Sequence, residues 1–382
     1  MRVQPGDPAP LFRQRAISRV DYSIDAAAGR YLVLCFHGSA AHPLARRALA
    51  AALARPDLFN DDHAAFFGVS NDPDDERLMR VRDRYPGYRH IWDFDTTVAQ
   101  LYGAMPSGIG ADGMASIRPA WVVIGPSMRI MKTVPFQPDG GDIAEVLAFV
   151  EGLPPVERAT GIEMHAPVFA LANVFEPDLC ARLIEVYRAG EAVDSGFMRE
   201  EGGKTVGVVD HRHKRRRDCL IESDELTLEI QRRVRRRIVP ELKKVHQFEA
   251  TRMERYIVAC YSADDGGHFR PHRDNTTSGT AHRRFAVSIN LNADFDGGDL
   301  VFPEYGPRAY RPPLGGAVVF SCSLQHAVTE VVRGERFAFL PFLYDEAAAI
   351  VRRANNDRLG EGVLPYGAGG EDAREEVSPT RD

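Results

Sequence analysis

The stretch Cys260-Tyr-Ser-Ala-Asp-Asp-Gly-Gly-His-Phe-Arg-Pro-His272-Arg-Asp274-Asn275 decides how the second half of this chain is read. In extended backbone, residues two apart project to the same side. His272 and Asp274 can therefore present an imidazole and a carboxylate to one ion. Those donors fill two coordination positions, and a third ligand must come from elsewhere in the fold. His326, in Gln325-His326-Ala-Val328, follows the strand-like run Ala317–Phe320 and is placed to supply it if the chain returns across the same cavity.

Two histidines and one carboxylate on one face leave coordination positions open for a bidentate co-substrate and O₂, as non-haem Fe(II) oxygenases require. Arg336 stands ten positions beyond His326, inside the otherwise apolar run Glu335-Arg-Phe-Ala-Phe-Leu-Pro-Phe-Leu-Tyr344. Burying a guanidinium there is costly unless an anion pairs with it. A dicarboxylate co-substrate provides that anion, and the planar fork of arginine suits its distal carboxylate.

Outward from this centre, Arg252–Tyr261, Phe285–Asn292, Asp299–Pro303, Ala317–Phe320 and Glu335–Tyr344 are short runs rich in β-branched and aromatic residues. Gly, Pro and Asp turns separate them, a pattern that predicts a sandwich or jelly roll. Gly297 and Gly298 are expected to form a tight turn, and Phe302 and Phe320 to belong to the core. Upstream, Pro177–Arg188 predicts a helix with Pro177 in its first turn and Asp178 near its positive end. Two basic clusters follow, His211–Arg217 and Arg232–Arg237. The second lies on an amphipathic helical pattern with Leu226, Leu228, Ile230, Val234 and Ile238, and no aromatic residues interleave with its arginines. It is therefore read as a solvated helix face in preference to a nucleic-acid surface.

The region from about Phe169 to Glu346 resembles the prolyl 4-hydroxylase-like branch of the 2-oxoglutarate/Fe(II) dioxygenase superfamily. The resemblance rests on five motifs in order: Val258-Ala-Cys-Tyr261, His272-Arg-Asp-Asn275, Gly297-Gly-Asp-Leu-Val-Phe-Pro303, His326-Ala-Val328 and Gly334-Glu-Arg336-Phe-Ala338. It implies a double-stranded β-helix with flanking helices, in which His272, Asp274 and His326 bind iron and Arg336 anchors 2-oxoglutarate. Tyr261 matches the family tyrosine that lines the co-substrate pocket, at a slightly longer offset from His272. The implied activity couples oxidative decarboxylation of 2-oxoglutarate to hydroxylation of a peptidyl or amino-acid substrate such as proline, with L-ascorbate as an accessory cofactor. Asp194–His213 and Thr276–Arg284 are expected as polar loops at the cavity mouth that choose the substrate.

The first part of the chain alternates strand and helix patterns: Tyr31–Phe36, Ala65–Val69 and Trp121–Ile124 as strands, His42–Leu53 and Ile143–Phe149 as helices. Pro5-Gly-Asp-Pro-Ala-Pro10, Gly68-Val-Ser-Asn-Asp-Pro73, Asp93–Asp95 with Val98 and Tyr102-Gly103, and Arg118-Pro-Ala-Trp-Val-Val-Ile124 resemble a thioredoxin-fold domain of the peroxiredoxin type. That family places its reactive cysteine in the first helical turn after the central strand, where the positive helix end lowers its pKa. Here the region reads His37-Gly-Ser-Ala-Ala-His-Pro-Leu44, and Cys35 lies inside the strand. A catalytically silent fold is expected, serving as a scaffold, a recruiting surface or a site of homo-oligomerisation.

The chain has 382 residues, 44% of them hydrophobic, and a net charge of −6, which predicts two globular domains. The expected division is 1–153, α/β thioredoxin-like; 165–346, oxygenase; and 347–382, a disordered tail. Five scattered cysteines without CxxC pairing argue against a disulfide framework or a thiolate zinc site. No run is long enough for a bilayer span and no secretory signal pattern is present, so the expected location is cytoplasmic. The alternative reading is a thiol-redox or scaffold protein carrying a degenerate oxygenase module.

Overall fold

The computed structural model describes residues 3–105, 117–363 and 377. It divides the chain into two compact units, Met1–Ala166 with Pro303–Pro307 and Pro167–Phe302 with Arg308–Asp382.

The first unit is built on a five-stranded sheet. Its central strand, Tyr31–Gly38, runs parallel to Ala64–Ser70, which is parallel to Tyr88–Trp92, while Ala120–Ile124 and Ile130–Pro135 add antiparallel strands on the other side. Tyr31–Phe36 is wholly buried, as the unbroken apolar run requires of a strand covered on both faces. Helix Pro43–Leu53 follows it, with Pro43 in the first turn and the His42 imidazole accepting from the Leu44 N–H at 3.3 Å. Helices Thr97–Tyr102 and Gly141–Glu151 complete the thioredoxin-like α/β arrangement.

In the second unit two antiparallel sheets form a jelly roll. The larger runs Arg252–Glu254, Phe342–Tyr344, Phe285–Asn290, Val331–Phe339, Ile257–Ser262, Arg217–Leu220 and Val193–Asp194, with Ala317–Ser321 also pairing onto Phe285–Asn290. The smaller runs Lys214–Arg215, His268–His272, His326–Val328, Leu300–Val301 and Ala309–Tyr310. Helices Pro177–Ala189 and Asp224–Arg237 contribute Leu179, Leu183, Ile230 and Val234 to one core with Val258, Val287 and Phe339 of the larger sheet. On the latter helix Arg233 and Arg237 pair with Glu176, at 3.2 Å for Arg233, and the apolar stripe turns inward. Gly297 and Gly298 adopt φ +74° and +66°, and a Cβ on Gly297 would lie 2.0 Å from the Glu330 carbonyl oxygen. The tight turn expected there is also a close approach of two backbones.

Two expectations need correction. Asp194–His213 is not simply a polar loop, because it contains the hairpin Phe197–Glu201/Lys204–Val208, closed by Gly202 and Gly203 at φ +57° and +78°. A two-residue Gly-Gly turn between extended runs is a hairpin signal in its own right. The tail does not begin at Ala347: Glu346–Ala354 is a helix, capped by the Asp345 carboxylate accepting from Ala348 N–H and docked through buried Ala348 and Ala349. Of the remaining tail, 364–376 and 378–382 lie outside the described residues. In the basic run His211–Arg217, Lys214 and Arg216 are buried while Arg215 and Arg217 are exposed.

Candidate metal centre and co-substrate pocket

His272 closes strand His268–His272, and His326 opens strand His326–Val328. The two strands are antiparallel neighbours, and register places His272 directly opposite His326, with an irregularity before His272. Asp274 follows two residues on, its N–H donating to the Cys322 carbonyl at 3.0 Å, which fixes the turn beside the histidine pair. One ligand atom from each of His272, Asp274 and His326 lies within 4.8 Å of the others. Asp274 Oδ1 is 3.6 Å from His272 Nε2 and Oδ2 is 3.4 Å from His326 Nε2.

The tautomers follow from hydrogen bonding. His272 Nδ1 is 2.8 Å from the Arg270 carbonyl oxygen and His326 Nδ1 is 3.0 Å from that of Leu324. A carbonyl only accepts, so each Nδ1 carries a proton, and Nε2 is the ring nitrogen turned toward Asp274. Burial, and then the neighbouring His326, pull His272 down to about 4, keeping it a neutral ligand. Burial alone would raise the Asp274 carboxyl, but His326 and His272 outweigh it and hold the group well below the usual carboxylate range. Phe269 stacks on His272 with ring centroids 3.5 Å apart, and Phe320 and Phe302 flank His326 at 4.6 and 6.2 Å. The two phenylalanines expected in the core therefore pack against a ligand histidine.

Arg336, on strand Val331–Phe339, is 2% exposed. Its Nε donates to Asn290 Oδ1 at 3.1 Å and its Nη2 to Ser288 Oγ at 2.8 Å, whereas Nη1 has no acceptor among the described residues. Tyr261 is its cross-strand partner in register, and the guanidinium carbon sits 5.4 Å from the Tyr261 ring centroid. Gly298 leaves room for this arginine, since a Cβ there would lie 3.1 Å from Arg336 Cδ. A buried guanidinium with a free N–H and no carboxylate against it is a pocket for an anion. Two imidazoles with Nε2 turned inward, one carboxylate and this orphaned donor fit Fe(II) and a dicarboxylate.

Several contributors were not read from sequence. Ser288 and Asn290 are polar residues two apart in an apolar strand, a spacing that could have marked them as lining the same interior. Arg283, which donates to the Asp274 carbonyl at 3.5 Å and to buried Glu254 at 2.6 Å, gave no local signal. Of the two loops assigned to the cavity mouth, the structure joins one to the other: Ser278 N–H donates to Glu200 at 3.1 Å and Gly279 N–H to Thr205 Oγ1 at 2.8 Å.

Fold and site together give the second unit a jelly roll with a candidate His–Asp–His metal centre, and the first unit a thioredoxin-like α/β fold. Comparison with known proteins agrees. Residues 256–344 match the 2OG-Fe(II) oxygenase superfamily and residues 5–133 the AhpC/TSA family, so the chain joins an oxygenase region to a peroxiredoxin-like one. A PKHD-type hydroxylase of Shewanella frigidimarina is 34% identical over 78 residues, covering 20% of this chain and 34% of the relative. One from Cupriavidus metallidurans is 34% identical over 95 residues, covering 22% of this chain and 42% of the relative. The chain thus spans less than half the length of these curated relatives. A solved prolyl hydroxylase from Trichoplax adhaerens, in complex with a hypoxia inducible factor oxygen degradation domain peptide fragment, is 16% identical with a TM-score of 0.39, covering 48% of this chain and 86% of that one.

Proposed function

We propose that this protein is a 2-oxoglutarate-dependent hydroxylase in which His272, Asp274 and His326 hold Fe(II), while Arg336 and Tyr261 hold the co-substrate. The observation that carries the reading is the convergence of the three ligand atoms within 4.8 Å, with both Nδ1 positions tied to backbone carbonyls. Bound Fe(II) and 2-oxoglutarate supply the chemistry, coupling oxidative decarboxylation of the co-substrate to hydroxylation of a substrate C–H bond. The protein supplies placement. His272 and His326 offer Nε2 donors, Asp274 adds one negative charge, and Phe269, Phe302 and Phe320 pack against the two imidazoles. Arg336 directs its free N–H toward the distal carboxylate from a position fixed by Ser288 and Asn290.

The same reading takes a peptidyl or free amino-acid side chain, proline among them, as substrate, L-ascorbate as accessory reductant and the cytoplasm as location. Among the described residues no helix is long and apolar enough to cross a membrane. The N-terminal unit serves as a silent scaffold: Cys35 is fully buried and its thiol is pushed well up by burial. That burial also weighs against the thiol-redox alternative.

Anaerobic titration of the metal-free protein with Fe(II) and then 2-oxoglutarate is the test. A weak visible charge-transfer band in wild type that is lost in His272→Ala supports the reading. A folded wild-type protein that gives no band overturns it.

A further inference from the structure

The basic run Lys214-Arg-Arg-Arg-Asp218 crosses from the smaller sheet to the larger one, and alternate side chains turn inward. Arg216 is 6% exposed and its fork is fully engaged. Nε donates to Asp218 Oδ1 at 2.7 Å, and Nη2 to Asp218 Oδ2 at 2.6 Å and to Ser195 Oγ at 2.8 Å. Ser195 Oγ in turn donates to Asp218 Oδ2 at 2.5 Å and accepts from Lys214 Nζ at 2.7 Å. A bidentate pair braced by a hydroxyl holds a guanidinium in one orientation. The remaining nitrogen, Nη1, donates to the Tyr261 phenol oxygen at 3.4 Å.

A phenol that accepts from a guanidinium must direct its own proton elsewhere. Among the described residues no group accepts the proton of Tyr261, although the ring is 1% exposed. Its neighbour in register, Arg336, likewise has Nη1 without an acceptor. The Arg216 and Arg336 guanidinium carbons lie 5.7 and 5.4 Å from the Tyr261 ring centroid. Two buried donors without acceptors, on adjacent strands and with the Arg216 and Arg336 guanidinium groups beside them, fit an anion with several acceptor oxygens.

Resting on the function proposed above, we infer that Arg216 is a positioning residue for the co-substrate. By donating to Tyr261 Oη it compels the phenol to act as a donor, so that Tyr261 and Arg336 both hydrogen-bond the distal carboxylate of 2-oxoglutarate. Asp218 and Ser195 fix Arg216 in that role. Tyr261 without Arg216 could accept as well as donate, and the preorganisation would be lost.

The test is the dissociation constant for 2-oxoglutarate, read from the charge-transfer band of the Fe(II)-loaded full chain, in Arg216→Lys, Tyr261→Phe and the double variant. Lysine keeps a cation for Asp218 but lacks the fork that reaches both partners. Each single variant should weaken 2-oxoglutarate binding about tenfold, the scale of one hydrogen bond to a charged group. The double variant should be no more than about twofold worse than either, because both changes act on the same Tyr261 hydrogen bond. Fe(II) affinity should stay within about twofold, which general structural damage would not allow. Multiplying losses in the double variant, or unaltered binding in Tyr261→Phe, would overturn the inference; the latter decides even if Arg216→Lys fails to fold. Absence of the band in wild type would instead defeat the function on which it rests.

Discussion

His37 in the first unit is buried and His272 in the second is half-buried, both at the C-terminal end of a strand, and desolvation pulls both down, to about 3 and about 4. Only one is built as a ligand. His272 has Nδ1 on a backbone carbonyl and Nε2 3.6 Å from a carboxylate, with a second histidine opposite. Neither ring nitrogen of His37 has a hydrogen-bond partner among the described residues, and its nearest titratable influence is His90. Depth of burial therefore does not make a metal site. Orientation of the imidazole by a second hydrogen bond and convergence of a charged donor do.

The contrast is sharpest at Arg336, the proposed co-substrate anchor. Arg336→Ala removes the free N–H donor together with the charge, and should raise the 2-oxoglutarate concentration needed for half-maximal turnover by roughly 10- to 100-fold. Steady-state kinetics at saturating Fe(II) measures this, and an unchanged requirement would remove Arg336 from the pocket.

A smaller effect is expected on stability. Glu254 accepts from Arg283 at 2.6 Å and lies 3.1 Å from His282 Nε2 and 2.8 Å from Arg352 Nη2, the latter on the C-terminal helix. Burial alone would raise its carboxyl; Arg283, His282 and Arg352 outweigh that and hold it well below the ordinary value. A depressed folded-state pKa means stabilisation that is present above the unfolded value near pH 4 and is lost as pH falls through the folded one. Glu254→Gln should cost about 3 kcal/mol at neutral pH, since it breaks a buried pair. Its melting temperature should approach that of wild type as the pH is lowered below about 4. Parallel melting curves across that range would show that Glu254 is not ionised in the fold.

The least effect is expected of the cysteines. All five are buried, and native protein should release fewer than one thiol to a disulfide reagent before unfolding. Rapid reaction at Cys35 would reopen the thiol-redox reading of the first unit and dissolve the contrast between the two.

Much of the site was legible in the chain. His272 and Asp274 share a side because strand geometry fixes the direction of residues two apart, and Arg336 marked itself by standing charged in an apolar run. The missing cysteine after the central strand of the first unit was equally local. Gly202-Gly203 carried a hairpin signal that the surrounding charges obscured. Arg216 was not legible, because four consecutive basic residues look alike until register turns every second one inward. Glu254, Arg283 and Arg352 were invisible for a related reason, as three separate elements bring them together.

By itself, then, the sequence determined the types of the candidate metal donors, the charged residue in an apolar strand and the lack of a cysteine in the helix turn after Tyr31–Gly38, because chemical identity and short-range backbone geometry are local properties. Tertiary structure alone decided that His326 faces His272, that Arg216 points at Tyr261 and that the helix after Tyr344 docks. Each of these depends on strand register and on which surfaces bury one another, and neither is encoded in the order of any single segment.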